Sequence, residues 1–184
     1  MTGKYGYPYF SNYLNSDMEP SDVRSMCCRL RLDLTELRRK NGGLFGAGDS
    51  TGSIGVVTIN LPRIAYEANG DKAMFFDTLE QVMEKACVSL EAKRAWLNDN
   101  IIGTGMIPAF DEYVGSINNY FSTIGFVGMN EMCENLIEDD IQSAEGIQLS
   151  MDVLNFMRDK LIEFQQNTEH LYNLEATPAE STCY

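Results

Sequence analysis

The sequence predicts an α/β fold built on a parallel sheet, and three observations carry that prediction. Two long stretches, about residues 71–98 and 144–167, repeat apolar residues at helical spacing. Short apolar or β-branched runs at 53–61, 122–127 and 171–176 read as strands. The two kinds of segment alternate, and a strand–long helix–strand order implies crossovers that leave neighbouring strands parallel.

Taken in chain order, residues 1–20 are rich in Tyr, Asn, Pro and Gly and read as an extended entry segment. Ser21-Asp22 offers a helix N-cap before Val23, Met26 and Leu30. Leu30, Leu32 and Leu34 instead alternate with charged residues, as in a strand. A loop tip followed by a short helix ending at Lys40 satisfies both patterns. Asn41-Gly42-Gly43 stops that element, and 46–52 is a polar, Gly-rich loop.

Residues 53–61 read as a strand buried on both faces, ended by Pro62, which cannot donate to a ladder. Gly70-Asp71 opens the first long helix, with Phe75, Phe76, Leu79, Val82, Met83, Ala86 and Leu90 on one face. Residues 101–120 are weakly patterned. Ser122–Val127 reads as a second buried strand, and Met129-Asn130-Glu131 begins a short helix. The second long helix turns Ile147, Met151, Leu154, Met157, Leu161 and Phe164 inward. His170 reads as a cap at its C-terminus. Leu171–Ala176 forms the third strand, and Thr177-Pro178-Ala179-Glu180 has the signature of a helix start. An ending at Tyr184, just inside that helix, reads as a slice of something larger.

With 184 residues, 44% hydrophobic and 22% charged, the chain reads as one ordinary globular domain. No secretory leader or membrane-length apolar run is present, so the expected location is the cytoplasm. The five cysteines then read as reduced thiols. With no C-x-x-C and a single histidine, a metal site within the chain is disfavoured. The net charge of −13 is uneven: residues 1–65 hold eight Lys/Arg against six Asp/Glu, and residues 66–184 six against twenty-one. Such a chain is a poor nucleic-acid binder.

Four places carry candidate chemistry. Cys27-Cys28 are too close to bridge each other easily, so they are either small packing residues or a presented thiol. Arg24 and Arg29 flank them, and the residues alone leave both readings open. Thr177–Ser181 is either a plain helix cap or a phosphate site on free N–H groups. Glu175, between Leu174 and Ala176, either reaches solvent from a strand end or is a carboxylate with a partner. Ser53-Ile54 open the first strand, and Asn60 is a strand-end residue.

Several blocks, in order, resemble the anaerobic, glycyl-radical (class III) ribonucleoside-triphosphate reductases. They are Pro8–Asn12, Asn15–Met18, Asp22–Leu30, Gly43–Gly46, Gly52–Arg63, Ser122–Gly125 with Gly128–Glu131, and Asn173–Glu180. The resemblance implies part of a ten-stranded α/β barrel with long crossover helices and a finger loop. Residues 1–184 would be a partial catalytic barrel domain. The regulatory ATP-binding domain, the first strands and the C-terminal glycyl-radical and zinc domain are expected outside it.

The implied reaction is reduction of ribonucleoside triphosphates to 2'-deoxyribonucleoside triphosphates by a thiyl radical under anaerobic conditions. The family's finger loop reads Met-Gly-Cys-Arg, which aligns Cys28 with the thiyl-forming cysteine and leaves Cys27 as the fallback. By the same resemblance, Thr177, Ala179 and Ser181 lie at the substrate phosphates, and Ser53 and Ile54 contact substrate. Several members read Asn-Asn-Leu-Gly where this chain reads Gly52-Ser53-Ile54-Gly55. Formate-dependent members lack the acid at Glu175, so Glu175 is expected to supply the carboxylate that formate supplies elsewhere. The whole enzyme is implied to need a glycyl radical made by an S-adenosylmethionine/iron–sulfur activase, a structural zinc, and a homodimer. No cofactor is expected on this segment, and neither nucleic acid nor membrane as partner. The 184-residue segment by itself is expected to be inactive. The alternative is a non-catalytic nucleotide-binding or assembly module that keeps the fold.

Overall fold

The computed structural model of the chain describes residues 52–177, which fall within the unit Ser50–Thr177. Eight elements follow in order: β1 (Gly52–Asn60), α1 (Leu61–Ala68), α2 (Lys72–Asn100), α3 (Pro108–Tyr113), β2 (Tyr120–Val127), α4 (Met129–Ile137), α5 (Ala144–Thr168) and β3 (Leu171–Ala176). The strands form one sheet in the order β1-β2-β3, and both pairs are parallel. All three strands and both long helices expected from the sequence of this region are present.

The helix starts follow from side-chain acceptors for otherwise orphaned N–H groups. Asp71 Oδ1 accepts from the N–H of Ala73 (2.9 Å) and Met74 (3.1 Å) at the start of α2. Ser143 Oγ accepts from Gly146 N–H (3.0 Å) at the start of α5. Phe75, Leu79, Met83, Ala86 and Leu90 of α2 are buried as the periodicity requires, with Phe76 and Val82 packed beside them.

Four local expectations are corrected. Pro62 closes β1, but the chain passes straight into α1. Asn60 is the cap, its Oδ1 accepting from Arg63 N–H (3.1 Å), and Pro62 sits in the first helical positions where its missing N–H costs nothing. Nor is β1 buried on both faces: Ile54 and Ile59 are buried, whereas Val56 is 40% exposed and Thr58 is exposed. Among the described residues, only one face of β1 receives helices.

In α5, Met157, Leu161 and Phe164 are buried as expected, but Ile147 and Met151 are half exposed. The helix carries two apolar stripes. The one through Leu149, Val153, Met157, Leu161 and Phe164 is the longer and takes the core, leaving Ile147, Met151 and Ile162 outside. Finally, His170 is not the cap of α5. That place belongs to Glu169, left-handed at φ 61°, whose N–H returns to Gln165 O (3.0 Å).

Arg94 ties α2 to the start of β2. It is 2% exposed and donates to Ile117 O (2.9 Å), Tyr120 O (2.8 Å) and Ser122 Oγ (3.1 Å). Burial lowers its pKa, but from a value so high that the guanidinium keeps its charge. Gly128, at φ 75°, turns the chain from β2 into α4, and a Cβ there would collide with the Pro62 ring of α1. No helix among the described residues is long and apolar enough to cross a membrane.

Candidate functional site

The sheet has two unlike faces, because parallel partners share a face and successive residues alternate. One face meets the helices. Val57, Ile59, Ile124 and Leu174 pack there against α2 and α5. On this face Tyr172 Oη donates to Glu91 Oε1 (2.6 Å), and Cys87 Sγ lies 3.3 Å from the same phenol oxygen. His170 Nδ1 donates to Glu91 Oε2 (2.7 Å). Burial raises the pKa of the Tyr172 phenol far above its ordinary value and also raises that of the Cys87 thiol. Both stay protonated near neutral pH, so the cluster is a brace between α2 and β3 rather than a nucleophile.

The opposite face carries Val56, Phe121 and Leu171 together with a polar group toward its C-terminal half. It carries Thr58 from β1, Thr123 and Gly125 from β2, and Asn173 and Glu175 from β3, in register across the sheet. Thr177 continues the β3 alternation, its N–H donating to Phe126 O (3.0 Å). Two side-chain bridges span this face. Thr123 Oγ1 donates to Asn173 Oδ1 at 2.8 Å. Thr58 Oγ1 and Thr177 Oγ1 are 3.1 Å apart, joining β1 to β3 across the intervening strand. They meet only because the residue between them is Gly125: a Cβ there would run into Thr177 Oγ1.

Of the residues singled out from sequence, Glu175 and Thr177 come together on this polar face, at the C-terminal ends of the strands. Ser53 is on the same face but at the other end. It is level with Phe121 and Leu171, four residues and about 13 Å before Glu175. Its hydroxyl is turned onto its own chain, accepting from Gly55 N–H at 3.2 Å around a bulge in β1. Ile54 is the extra residue of that bulge, and its side chain is 6% exposed within the helix-side core. Only its main chain is left for a ligand. Cys27, Cys28, Ala179 and Ser181 lie outside the described residues, as does the helix start expected after Thr177.

Thr58, Thr123 and Asn173 were not singled out individually, although a signal was there. Leu171-Tyr172-Asn173-Leu174-Glu175-Ala176-Thr177 alternates apolar and polar from Tyr172 onward, so Asn173, Glu175 and Thr177 share a face by period two alone. Among the described residues no three His, Cys, Asp or Glu side chains gather as a metal-binding group. The zinc implied by the resemblance has no donor set in this region.

A parallel sheet with long helices on one face among the described residues defines a mixed α/β protein. The family model described as anaerobic ribonucleoside-triphosphate reductase matches residues 1–184, and the chain belongs to that family. It is 26% identical over 154 residues to the anaerobic ribonucleoside-triphosphate reductase of Escherichia coli (strain K12), covering 73% of this chain and 21% of that protein. The reductase of Haemophilus influenzae is 27% identical over 153 residues, with the same coverage. Among solved structures, the anaerobic ribonucleotide reductase of Thermotoga maritima with citrate in the active site superposes with a TM-score of 0.63 at 27% identity, covering 71% of this chain and 25% of that one. The same enzyme in complex with dATP and CTP matches with a TM-score of 0.61 and 27% identity over 68% of this chain and 22% of that one. The chain thus spans about a fifth of the curated relatives it matches.

Proposed function

We propose that the chain forms one wall of the catalytic barrel of an anaerobic ribonucleotide reductase, and that its polar sheet face is the wall that meets the substrate. The observation that carries this reading is the convergence of Glu175, Thr177 and Thr58 toward the C-terminal ends of parallel strands, with the Thr123–Asn173 pair at mid-strand on the same face. Open and closed parallel sheets alike bind ligands at that end. The strictly sequential order β1-β2-β3, with α2 and α5 on one face, is what a barrel segment requires, and it favours closure into the ten-stranded barrel of the family.

In this reading the substrate is a ribonucleoside triphosphate. Its phosphates lie toward Thr177, Ala179 and Ser181, because Thr177-Pro178-Ala179-Glu180 has the sequence signature of a helix start, whose N–H groups attract anions. Its ribose lies over Asn173 and Glu175. Ser53 and Ile54 line the opposite end of the strand, with Ile54 contributing main chain. Cys28 carries the thiyl that takes a hydrogen atom from the ribose, and Cys27 stands in if the finger loop is displaced by one residue. The glycyl radical, generated by an S-adenosylmethionine/iron–sulfur activase acting on the whole homodimeric enzyme, supplies the oxidising equivalent. Glu175 accepts a proton during ribose reduction, the work of a carboxylate held against a sugar hydroxyl; the 2'-hydroxyl leaves as water, and the two electrons come from an external reductant, formate or a thiol system.

The test is Glu175→Gln in the intact, activated reductase. The amide keeps the shape and removes the base. Turnover is expected to fall by about a hundredfold or more, with little change in KM, and added formate should restore part of the rate in Glu175→Ala. Wild-type kcat in both variants would refute the assignment.

A further inference from the structure

Thr123 is the least accessible polar side chain on the ligand face, at 1% exposure, and its hydroxyl has one partner among the described residues, Asn173 Oδ1 at 2.8 Å. The direction of that bond is fixed by counting protons. A buried hydroxyl hydrogen needs an acceptor. If the amide donated to Thr123 instead, the Thr123 hydrogen would have no acceptor among the described residues. The Asn173 carbonyl is therefore the acceptor, and its NH2 group is turned away from Thr123. Among the described residues that NH2 has no partner, and Asn173 is only partly buried.

Glu175 stands two residues further along the same strand face, about 6.6 Å away along β3. The face therefore presents, side by side, a fixed pair of donors and a carboxylate that only accepts. That spacing is bridged by two hydrogen bonds of about 2.8 Å each to neighbouring hydroxyls, one hydroxyl accepting from the amide and the next donating to the carboxylate.

We infer that Asn173, its amide oriented by Thr123, is a substrate-positioning residue that donates to one hydroxyl of a vicinal diol while Glu175 accepts from the other. The inference rests on the proposed reductase function, whose ribonucleotide substrate carries such a diol, and it adds the donor side of the site and a second residue, Thr123, that acts only through Asn173.

The experiment is steady-state kinetics of the activated, intact enzyme with CTP as the varied substrate, with the melting temperature recorded for every variant. Asn173→Ala is expected to raise KM about fivefold, the worth of one neutral hydrogen bond. Asn173→Asp is expected to do worse, because it sets a second acceptor beside Glu175. Thr123→Val keeps the shape but frees the amide to turn, and should raise KM by a similar factor. Thr123→Ser keeps the hydroxyl and should return KM to the wild-type value. A purely packing role for Thr123 would lower the melting temperature in Thr123→Val and leave KM untouched. Wild-type KM in Asn173→Ala and Thr123→Val overturns the inference while leaving the reductase function standing. A wild-type enzyme that reduces no ribonucleoside triphosphate overturns both.

Discussion

Cys28→Ala in the intact reductase is expected to abolish ribonucleotide reduction while the protein keeps its melting temperature and still accepts a glycyl radical from its activase. On the proposed mechanism a thiyl radical has no substitute: neither a serine nor an alanine at position 28 can take a hydrogen atom from the ribose at a useful rate. The effect is thus all-or-none, unlike the graded losses expected at Asn173 or Thr123. Cys27→Ala should retain turnover, because the resemblance aligns Cys27 with the glycine that precedes the radical cysteine. The reverse pattern, an active Cys28→Ala and a dead Cys27→Ala, would move the radical position by one residue. Radical formation is read by electron paramagnetic resonance and turnover by deoxynucleotide yield under strict anoxia, so a failure of activation is separable from a failure of chemistry.

The largest structural effect is expected at Arg94. Its guanidinium satisfies two main-chain carbonyls and one hydroxyl where α2 crosses the start of β2, all in a nearly water-free position. Arg94→Met fills much of the volume and strands all three acceptors. Hydrogen bonds to a charged donor are worth about 1.5–3 kcal/mol each, and the net loss is expected to be about 3 kcal/mol or more. The local signature is faster hydrogen–deuterium exchange across Tyr120–Val127 in the intact protein, together with a lowered urea midpoint. Arg94→Lys should recover little, since one ammonium cannot span three acceptors held in a planar fork. Unchanged exchange in β2 would show that the strand is pinned by its neighbours alone.

Much of this architecture was legible in the sequence because its signals are local. The Asp71 cap, the 3.6-residue repeat of Phe75–Leu90 and the short apolar runs place β1, α2, β2, α5 and β3 to within a few residues. What was not legible depends on neighbours. α1 escaped notice because Pro62 reads equally as a strand stop and as a first-turn residue, and only the Asn60 cap decides between them. The choice between the two apolar stripes of α5 is made by tertiary packing, not by periodicity. The exposed Val56 and Thr58 looked buried because a run of β-branched residues does not say which face receives helices.

The site divides in the same way. Glu175 and Thr177 announce themselves through alternation on β3. The role of Gly125 as the gap that lets Thr58 meet Thr177, and the pairing of Thr123 with Asn173, exist only once strand register is set. Ser53 and Ile54 were read as neighbours of the substrate by resemblance. Successive strand residues point to opposite faces, so Ser53 and Ile54 cannot both turn a side chain to one ligand; what no local pattern shows is the bulge between Ser53 and Gly55 that makes Ile54 the extra residue.

The central claim is that the polar face of this sheet, and not its helix-packed face, meets the substrate. The measurement that tests it most directly is a crystal structure of the intact reductase with a ribonucleoside triphosphate in its active site. The account predicts the ribose over Asn173 and Glu175, with the phosphates directed toward the segment that begins at Thr177. A substrate nucleotide seated away from this face, with Asn173 and Glu175 out of reach of its sugar, would contradict it.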